Sequence, residues 1–276
     1  MIKRLISSIL LIAILFTSIY FAKGNALATI FLLLSIAGIH EFALILQNMG
    51  IIVSKLGLQT ANFALVATSI YTASQGNNLL AIVIPVVIFL LISFAFALGT
   101  FRDITNQKLR RNAIASIMTL VALSLPISLF AVVSLLTPSS FALVIWVMFA
   151  TKFTDIGGYL FGICLGNHKI APSISPAKSW EGLAGGLLSS FVIGTFAIVA
   201  FKGLFPESFT LLHAGIWAVI IGFLGFLSDL LESAFKRCAK VKDSGATIPG
   251  IGGVLDLLDS MLINAPIALV IALLYW

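Results

Sequence analysis

The chain has 276 residues, of which 60% are hydrophobic and only 9% are charged, and its mean hydropathy is +1.16. Soluble domains contain about 45–50% apolar residues, so this composition excludes a water-soluble globular protein and predicts an integral membrane protein. The formal net charge is +6. In a membrane protein the placement of basic residues governs orientation, and we expect membrane lipid rather than nucleic acid as the partner.

The apolar segments predict an all-α, polytopic membrane helix bundle. A helix needs about 20 apolar residues to cross the hydrocarbon core, because its backbone polar groups must be satisfied internally there. By that length we predict about nine transmembrane helices in a single membrane domain, 1–276. In chain order they cover residues 5–21, 27–46, 58–73, 79–98, 113–136, 141–164, 183–201, 211–231 and 255–275.

The basic residues predict the orientation of these helices. Loops rich in Lys and Arg are retained in the cytoplasm. With nine helices and a cytoplasmic N-terminus, every Lys and Arg except Lys23, Lys152 and Lys202 falls on the cytoplasmic side. The first segment also resembles a cleaved signal peptide, with Ala26 and Ala28 in a cleavage-like arrangement. We expect a retained helix.

Acidic residues gather in the C-terminal half, on the predicted cytoplasmic side. An ionisable group inside a span costs about 2.5–3.5 kcal/mol on insertion scales, so Asp155 and Asp229 are candidates for function. The alternative is that each only neutralises a nearby lysine, such as Lys152 one turn before Asp155. The members of this group are Asp155, Glu181, Asp229, Glu232, Asp243, Asp256 and Asp259.

The spacing of these residues predicts a site for a metal-bound polyphosphate. Asp229, Ser233, Lys236 and Arg237 fall at i, i+4, i+7 and i+8, on one face of a helix. Asp256 and Asp259, at i and i+3, share a face at the predicted start of the last helix. The intervening stretch "DSGATIPGIGG" offers glycine backbone that approaches a ligand closely, and its N–H groups form a candidate anion cradle.

Carboxylates without neighbouring His or Cys favour a hard cation, Mg²⁺ above all. A P-loop, a dinucleotide-binding glycine motif and a GxSxG nucleophile elbow are all absent from the sequence. A bound nucleotide would therefore occupy a site outside the familiar soluble folds.

The stretch "SAFKRCAKVKDSGATIPGIGGVLDLLDS", residues 233–260, resembles the signature of the phosphatidate cytidylyltransferases (CDP-diacylglycerol synthases). The matching residues are Ser233, Lys236, Arg237, Lys242, Asp243, Pro249, Gly252, Gly253, Asp256 and Asp259. A second block, "TDIGGYLFGICLGNHKIAPSISPAKSWEG", is similar to another family motif through Asp155, Tyr159, Gly162, Gly166, Ser175, Pro176, Lys178, Ser179, Glu181 and Gly182. Glu41 fits an acidic position common early in these proteins. The resemblance covers about 150–270, while 1–140 agrees only in hydropathy.

The resemblance implies a nucleotidyltransferase that joins CTP to phosphatidate, giving CDP-diacylglycerol and pyrophosphate, at the cytoplasmic face of a bacterial inner membrane. It implies that Asp229, Asp256 and Asp259 hold Mg²⁺, with a second metal ion left open, and that Asp243 contacts metal or substrate. Lys236, Arg237 and Lys242 would bind phosphates. The remaining substrate-binding residues would be Ser233, Pro249, Gly252 and Gly253 near CTP, and Asp155, Ser175, Lys178 and Glu181 near the lipid phosphate. Whether the chain forms a homodimer is also left open.

Three positions depart from the family pattern. Ile251 replaces a His, Leu257 replaces an Arg between the two Asp residues, and Ala177 replaces a Lys. All the carboxylates of the pattern are retained, so we expect the reaction class to persist while substrate preference or rate differs.

Several alternatives stay open. A CTP-dependent lipid or polyprenol kinase would use the same nucleotide site with a different acceptor. A cation-coupled transporter would place carboxylates in both halves, whereas the first half has only Glu41 and Asp103. A degenerate copy without turnover is the third alternative. For the basic residues near 236–242, the competing explanation is topology and contact with anionic headgroups, at about 1 kcal/mol each.

Overall fold

A computed structural model describes residues 2–76, 78–99, 106–248 and 252–276. Asp103, Pro249 and Ile251 lie outside these residues. Within them the chain is mainly helical, which confirms the prediction of an all-α polytopic membrane bundle. Six described helical segments are long and apolar enough to cross a membrane: Tyr20–Asn48, Leu79–Leu98, Gln107–Leu135, Phe141–Leu165, Trp180–Ala200 and Leu211–Cys238. The count of nine spans stays a prediction.

The helices gather into two compact units, of which unit 1 comprises Met1–Pro138 and Cys238–Leu257. The elements that lie wholly within it are α1 (Ile2–Asn48), α2 (Lys55–Ser74), α3 (Asn78–Leu98), α4 (Gln107–Thr119) and α5 (Leu125–Leu135). A π-helical turn, Leu120–Ser124, joins α4 to α5. Pro126 is the second residue of α5, two positions after this turn ends. Proline lacks the N–H that would continue the α-helical ladder.

Polar and aromatic contacts link the helices of unit 1. Asn62 on α2 donates from Nδ2 to Ser35 Oγ on α1 at 2.9 Å. The Phe31 ring stacks on Phe130 of α5, with centroids 5.4 Å apart. Because lipid supplies no hydrophobic drive between helices, such packing and hydrogen bonds hold a membrane bundle together.

Unit 2 comprises Ser139–Arg237 and Leu258–Trp276. Its elements are α6 (Phe141–Leu165), β1 (Lys169–Ala171), β2 (Ser175–Ser179), α7 (Trp180–Ala200), a 3₁₀ turn (Lys202–Leu204), α8 (Leu211–Cys238, whose last residue belongs to unit 1) and α10 (Asn264–Tyr275). The short helix α9 (Val254–Leu258) contains the point in the sequence where unit 1 ends and unit 2 resumes.

Helices α6 and α7 pack closely because glycines line their contact. A Cβ at Gly186 would lie 2.7 Å from the Thr154 carbonyl oxygen, which leaves no room for a side chain. Trp146 on α6 donates from Nε1 to the Gly194 carbonyl of α7 at 2.9 Å. Asn264, at the start of α10, donates from Nδ2 to Thr151 Oγ1 of α6 and to the Ile221 carbonyl of α8. These contacts link four helices, α6, α7, α8 and α10, around the polar residues described below.

Within α1, two helices meet at a kink at Lys23, whose backbone angles are φ 44° and ψ −123°. This kink lies between the predicted spans 5–21 and 27–46. The structure differs from the predicted spans at the C-terminal end of the chain. The prediction of one helix over 255–275 is wrong. The segment contains the end of α9, a turn and then α10, whose 12 residues span about 18 Å, less than the hydrocarbon thickness of about 30 Å.

An antiparallel two-stranded hairpin was not predicted. Strands β1 and β2 pair Lys169 with Ser179 and Ala171 with Ser175, with an irregularity between the two pairs. Ser179 then caps α7 by accepting from the Gly182 N–H at 3.1 Å. The motif "SPAKS" therefore forms a strand that leads directly into a membrane-length helix.

Candidate active site

Helix α8 presents the polar strip that its sequence predicts. The helix continues to Cys238, so Asp229, Ser233 and Lys236 lie on successive turns. Ser233 donates from Oγ to Asp229 Oδ1 at 3.4 Å. Arg237 donates from Nε to the Ile174 carbonyl, in the turn of the hairpin, at 3.3 Å. The helical placement is confirmed, and Arg237 also tethers the hairpin to α8.

Three carboxylates of unit 2 converge on one point, and we name them the acidic cluster: Asp229, Glu232 and Asp259. One oxygen from each lies within 4.8 Å of the others. Asp229 and Glu232 are one turn apart on α8, while Asp259 lies in the turn after α9. The Asp259 backbone carbonyl accepts a hydrogen bond from the Ser228 hydroxyl, which fixes this turn against α8.

The donor set of the acidic cluster fits a hard divalent cation. It consists of carboxylate oxygens alone, which Mg²⁺ prefers over nitrogen or sulfur ligands. Asp229 and Asp259 belong to the predicted metal ligands, whereas Glu232 was not predicted as a ligand. Its i, i+3 spacing from Asp229 was the available signal, because residues three apart share a helix face.

Lysines neutralise this cluster in unit 2. Burial raises the pKa of Asp259 above its usual range against the opposing effect of Lys152, and the Asp229 and Glu232 carboxylates raise it further. A cation bound at the cluster would stabilise the ionised Asp259 carboxylate, and so would oppose both the burial and the repulsion from Asp229 and Glu232. The ion pairs are Lys178 Nζ with Asp229 Oδ2 at 2.9 Å, Lys236 Nζ with Glu232 Oε2 at 2.6 Å, and Lys152 Nζ with Asp259 Oδ1 at 3.9 Å.

A cavity of about 600 Å³ opens beside this cluster, between α6, β2, α7 and α8. Its lining includes four predicted site residues, Asp155, Ser175, Lys178 and Asp229. Apolar side chains cover other parts of its wall, namely Ile163, Leu183 and Phe226. Lys178 Nζ lies 4.5 Å from the centre of the Phe226 ring. The cavity thus combines charged groups suited to a phosphate with apolar walls suited to a lipid.

Glu181 contacts His168, the residue directly before β1. Its carboxylate accepts from the His168 backbone N–H at 3.2 Å, and its Oε1 lies 2.5 Å from Nδ1 of the same imidazole. The Trp180 N–H completes this corner by donating to the His168 carbonyl at 3.0 Å. In this arrangement Glu181 ties the start of α7 to the hairpin, and its substrate-binding role stays a prediction.

Unit 1 contains the other predicted site residues, in the segment that follows α8. The Asp256 carboxylate accepts from the Gly253 N–H at 2.8 Å and from the Ser244 N–H at 3.2 Å. The bond to Gly253 resembles a capping box, in which an acidic side chain reaches back to the start of its helix. Lys242 and Asp243 are exposed.

The prediction that Asp256 and Asp259 share a helix face is wrong. Helix α9 ends at Leu258, so Asp256 lies inside the helix and Asp259 lies in the turn beyond it. The metal-binding roles of Asp256 and Asp243 are supported by the motif resemblance alone.

The Glu41 carboxylate accepts hydrogen bonds from backbone N–H groups of the predicted anion cradle. Its carboxylate accepts from the Val254 N–H at 3.0 Å and from the Leu255 N–H at 2.9 Å. It also accepts from Thr247 Oγ1 at 2.5 Å and Ser244 Oγ at 3.3 Å. Glu41 is only 2% exposed. The predicted anion cradle is therefore filled by a side chain of α1, and a nucleotide role for Gly252 and Gly253 stays a prediction.

The chain thus falls into the class of membrane helix bundles that place a carboxylate cluster and adjacent lysines beside a partly apolar cavity. Within that class, the model of the cytidylyltransferase family matches residues 2–275. The chain belongs to this family, which confirms the family resemblance found in its motifs.

Three curated relatives are named phosphatidate cytidylyltransferase. The protein of Staphylococcus epidermidis is 39% identical over 130 residues, covering 45% of this chain and 44% of the relative. That of Staphylococcus aureus is 41% identical over 125 residues, covering 45% and 44%. That of Chlamydia muridarum is 38% identical over 145 residues, covering 50% and 46%. The chain spans about half the length of the curated relatives it matches.

Proposed function

We propose that this chain is a membrane-bound phosphatidate cytidylyltransferase that converts CTP and phosphatidate into CDP-diacylglycerol and pyrophosphate. The observation that carries the proposal is the acidic cluster of Asp229, Glu232 and Asp259, paired with Lys178 at the wall of a partly apolar cavity. Family membership and the names of the relatives support the same reaction.

The reaction needs positioning and neutralisation of charge more than proton transfer. The phosphate monoester of phosphatidate is anionic near neutral pH, and one of its oxygens attacks the α-phosphorus of CTP. The bond between the α-phosphorus and the oxygen that bridges it to the β-phosphorus breaks. Pyrophosphate then leaves on the side opposite the nucleophile. Bound Mg²⁺ supplies charge neutralisation at the phosphates, and Asp229, Glu232 and Asp259 are the residues that would hold it.

The lysines have a role that follows from their present partners. Lys178 and Lys236 each contact a carboxylate of the acidic cluster. A cation bound by these carboxylates would release the two ammonium groups toward substrate phosphates, since each carboxylate would then have a new counter-charge. We assign Lys178 to the lipid phosphate, because it lies in the cavity wall with the apolar side chains of Leu183 and Phe226.

Further assignments are proposed on the motif resemblance. Arg237, Lys242 and Ser233 would contact CTP or pyrophosphate, and Asp243 and Asp256 would assist the metal ion. We also place the site at the cytoplasmic face of the bacterial inner membrane, because the basic loops favour that orientation.

The test uses detergent-purified protein with phosphatidate, Mg²⁺ and CTP labelled at either the α- or the γ-phosphorus. We expect the α-label to enter an organic-extractable lipid and the γ-label to appear in pyrophosphate. We expect Asp229→Asn and Asp259→Asn each to lower the rate by about 10²-fold or more, because each removes a ligand of the cation that would neutralise the phosphates. Glu207→Gln, at an exposed acid in the connection between α7 and α8, serves as the matched control and keeps the rate.

The two labels separate the competing functions. Transfer of the γ-label to the lipid fraction would replace our proposal with a CTP-dependent lipid kinase. Absence of either transfer, together with cation uptake by reconstituted vesicles, would indicate the transporter. A chelator such as EDTA should abolish transfer of the α-label, and added Mg²⁺ should restore it.

A further inference from the structure

Lys152 is a cation within reach of the acidic cluster that the motif resemblance leaves without a role. It lies on α6, and its Nζ is 3.7 Å from Asp155 Oδ2 and 3.9 Å from Asp259 Oδ1. The same ammonium donates to Ser260 Oγ at 2.9 Å. Lys152 is therefore held by a hydroxyl at a point that faces two carboxylates from different parts of unit 2.

Its position differs from that of the other two lysines. Lys178 and Lys236 make short contacts, 2.9 Å and 2.6 Å, with one carboxylate each. Both also belong to motif blocks assigned to phosphate binding, so substrate would offer each of them a different anion. Lys152 instead lies between Asp155 and Asp259, at longer distances from each. A metal ion that bridged these two carboxylates would have to occupy the same position as its ammonium group.

A second divalent ion at that point would meet like charge. Paired metal ions in phosphoryl-transfer sites share carboxylate ligands and lie about 3.5–4 Å apart. An ammonium within 4 Å of both Asp155 and Asp259 already neutralises part of their charge and repels a further cation. Asp229 and Glu232 then remain as ligands for one divalent ion. Asp259 lies beside both that ion and the Lys152 ammonium.

We propose that the Lys152 ammonium takes the place of a second metal ion beside Asp155 and Asp259, so that this site binds a single divalent cation. The proposal deepens the assignment of the acidic cluster under the proposed function and rests on it. Ser260 acts with Lys152 as a positioning residue, because its hydroxyl accepts the hydrogen bond that fixes the ammonium.

The number of bound ions tests this directly and requires no turnover. The full chain in detergent is dialysed against Mn²⁺ without substrate, and bound Mn²⁺ is counted per chain. We expect one ion for the wild type and for Lys152→Arg, which keeps the charge. We expect two for Lys152→Met, which keeps the length of the side chain but removes the charge. Asp229→Asn should lose the ion and so defines the count that belongs to this site.

The electron paramagnetic resonance spectrum of Mn²⁺ bound to the wild type gives a second measurement that does not depend on how a variant folds. A single ion gives the six-line spectrum of isolated Mn²⁺, whereas two ions about 4 Å apart give an exchange-coupled spectrum. A coupled spectrum, or two ions in the wild type, overturns the proposal. So does a folded Lys152→Met variant that still binds one ion.

The same preparations are assayed with α-labelled CTP, which separates this inference from the proposed function. Expected ion counts without nucleotide transfer would remove the cytidylyltransferase reaction and leave the one-ion site. Normal transfer with two ions in the wild type would support the cytidylyltransferase reaction and overturn the one-ion site.

Discussion

At the scale of single residues, Glu41 is the side chain whose role is least visible in the sequence. Four donors from the segment 244–255 converge on its carboxylate: Ser244, Thr247, Val254 and Leu255. These donors are more than 200 positions away along the chain. A buried acceptor with so many donors fixes the backbone around it, because removing the acceptor leaves each donor desolvated and unpaired.

We therefore expect Glu41→Ala to loosen this segment. Hydrogen exchange at the Val254 and Leu255 amides should become about 10²-fold faster, which corresponds to about 3 kcal/mol lost from several unsatisfied donors. Glu41→Gln, which keeps one acceptor oxygen, should have a smaller effect. Exchange of the Trp180 amide, bonded to the His168 carbonyl in the other unit, is the internal control. Unchanged exchange at Val254 and Leu255 in the alanine variant would contradict this role.

The residues in and around the acidic cluster show which contacts the sequence spacing predicts and which it does not. The strip on α8 follows from helical periodicity, so Asp229, Ser233 and Lys236 could be placed in advance. The sequence predicts Lys152 as a partner for Asp155, one turn away, and this pair is confirmed at 3.7 Å. Its approach to Asp259, which is 107 positions later, depends on how the helices of unit 2 pack, and no local pattern encodes it.

At the scale of elements, close contact between α6 and α7 shapes the cavity wall. A Cβ at Gly186 would lie 2.7 Å from the Thr154 carbonyl oxygen, a backbone atom that cannot move aside alone. We expect Gly186→Ala to force the helices apart and to lower stability by about 1–3 kcal/mol, measured as a lower thermal midpoint in detergent.

Gly38→Ala is the matched control for this substitution. Gly38 also lies inside a long apolar helix, α1, but a Cβ there would have no neighbour within 4 Å. Alanine at an open helical position stabilises by up to about 1 kcal/mol, so this variant should melt at the same temperature or higher. Equal losses from both substitutions would show that packing against Thr154 is not the cause.

Elements were predictable where one physical cause governs them. The long apolar helices follow from length and hydropathy alone. The hairpin does not, because its strands are three and five residues long, and "SPAKS" has neither β-branched residues nor alternation. The break between α9 and α10 is hard to predict for a related reason. Only Asp259 and Ser260 interrupt the apolar sequence, because the rest of the turn, 261–263, is apolar.

At the scale of the whole molecule, the orientation in the bilayer is the main prediction. Helix α7 has 21 residues and a length of about 31 Å, enough to separate the hairpin from the 3₁₀ turn by a bilayer. We expect single cysteines at Asn167 and Gly203, in a background with Cys164 and Cys238 replaced by serine, to react on opposite sides of the membrane. A membrane-impermeant maleimide applied to intact cells should label only Gly203→Cys, and inverted vesicles should give the reverse pattern.

The ion pairs of unit 2 have a consequence for biosynthesis. Lys152 and Asp155 are one turn apart within α6, and Glu232 and Lys236 are one turn apart within α8. Each pair forms inside a single helix, so it is available before any other helix has arrived. A nascent segment that leaves the ribosome can therefore enter the translocon with its charges already matched, which reduces the insertion penalty of about 2.5–3.5 kcal/mol for each unmatched charge. These four charges can thus be delivered into the bilayer as two neutral pairs.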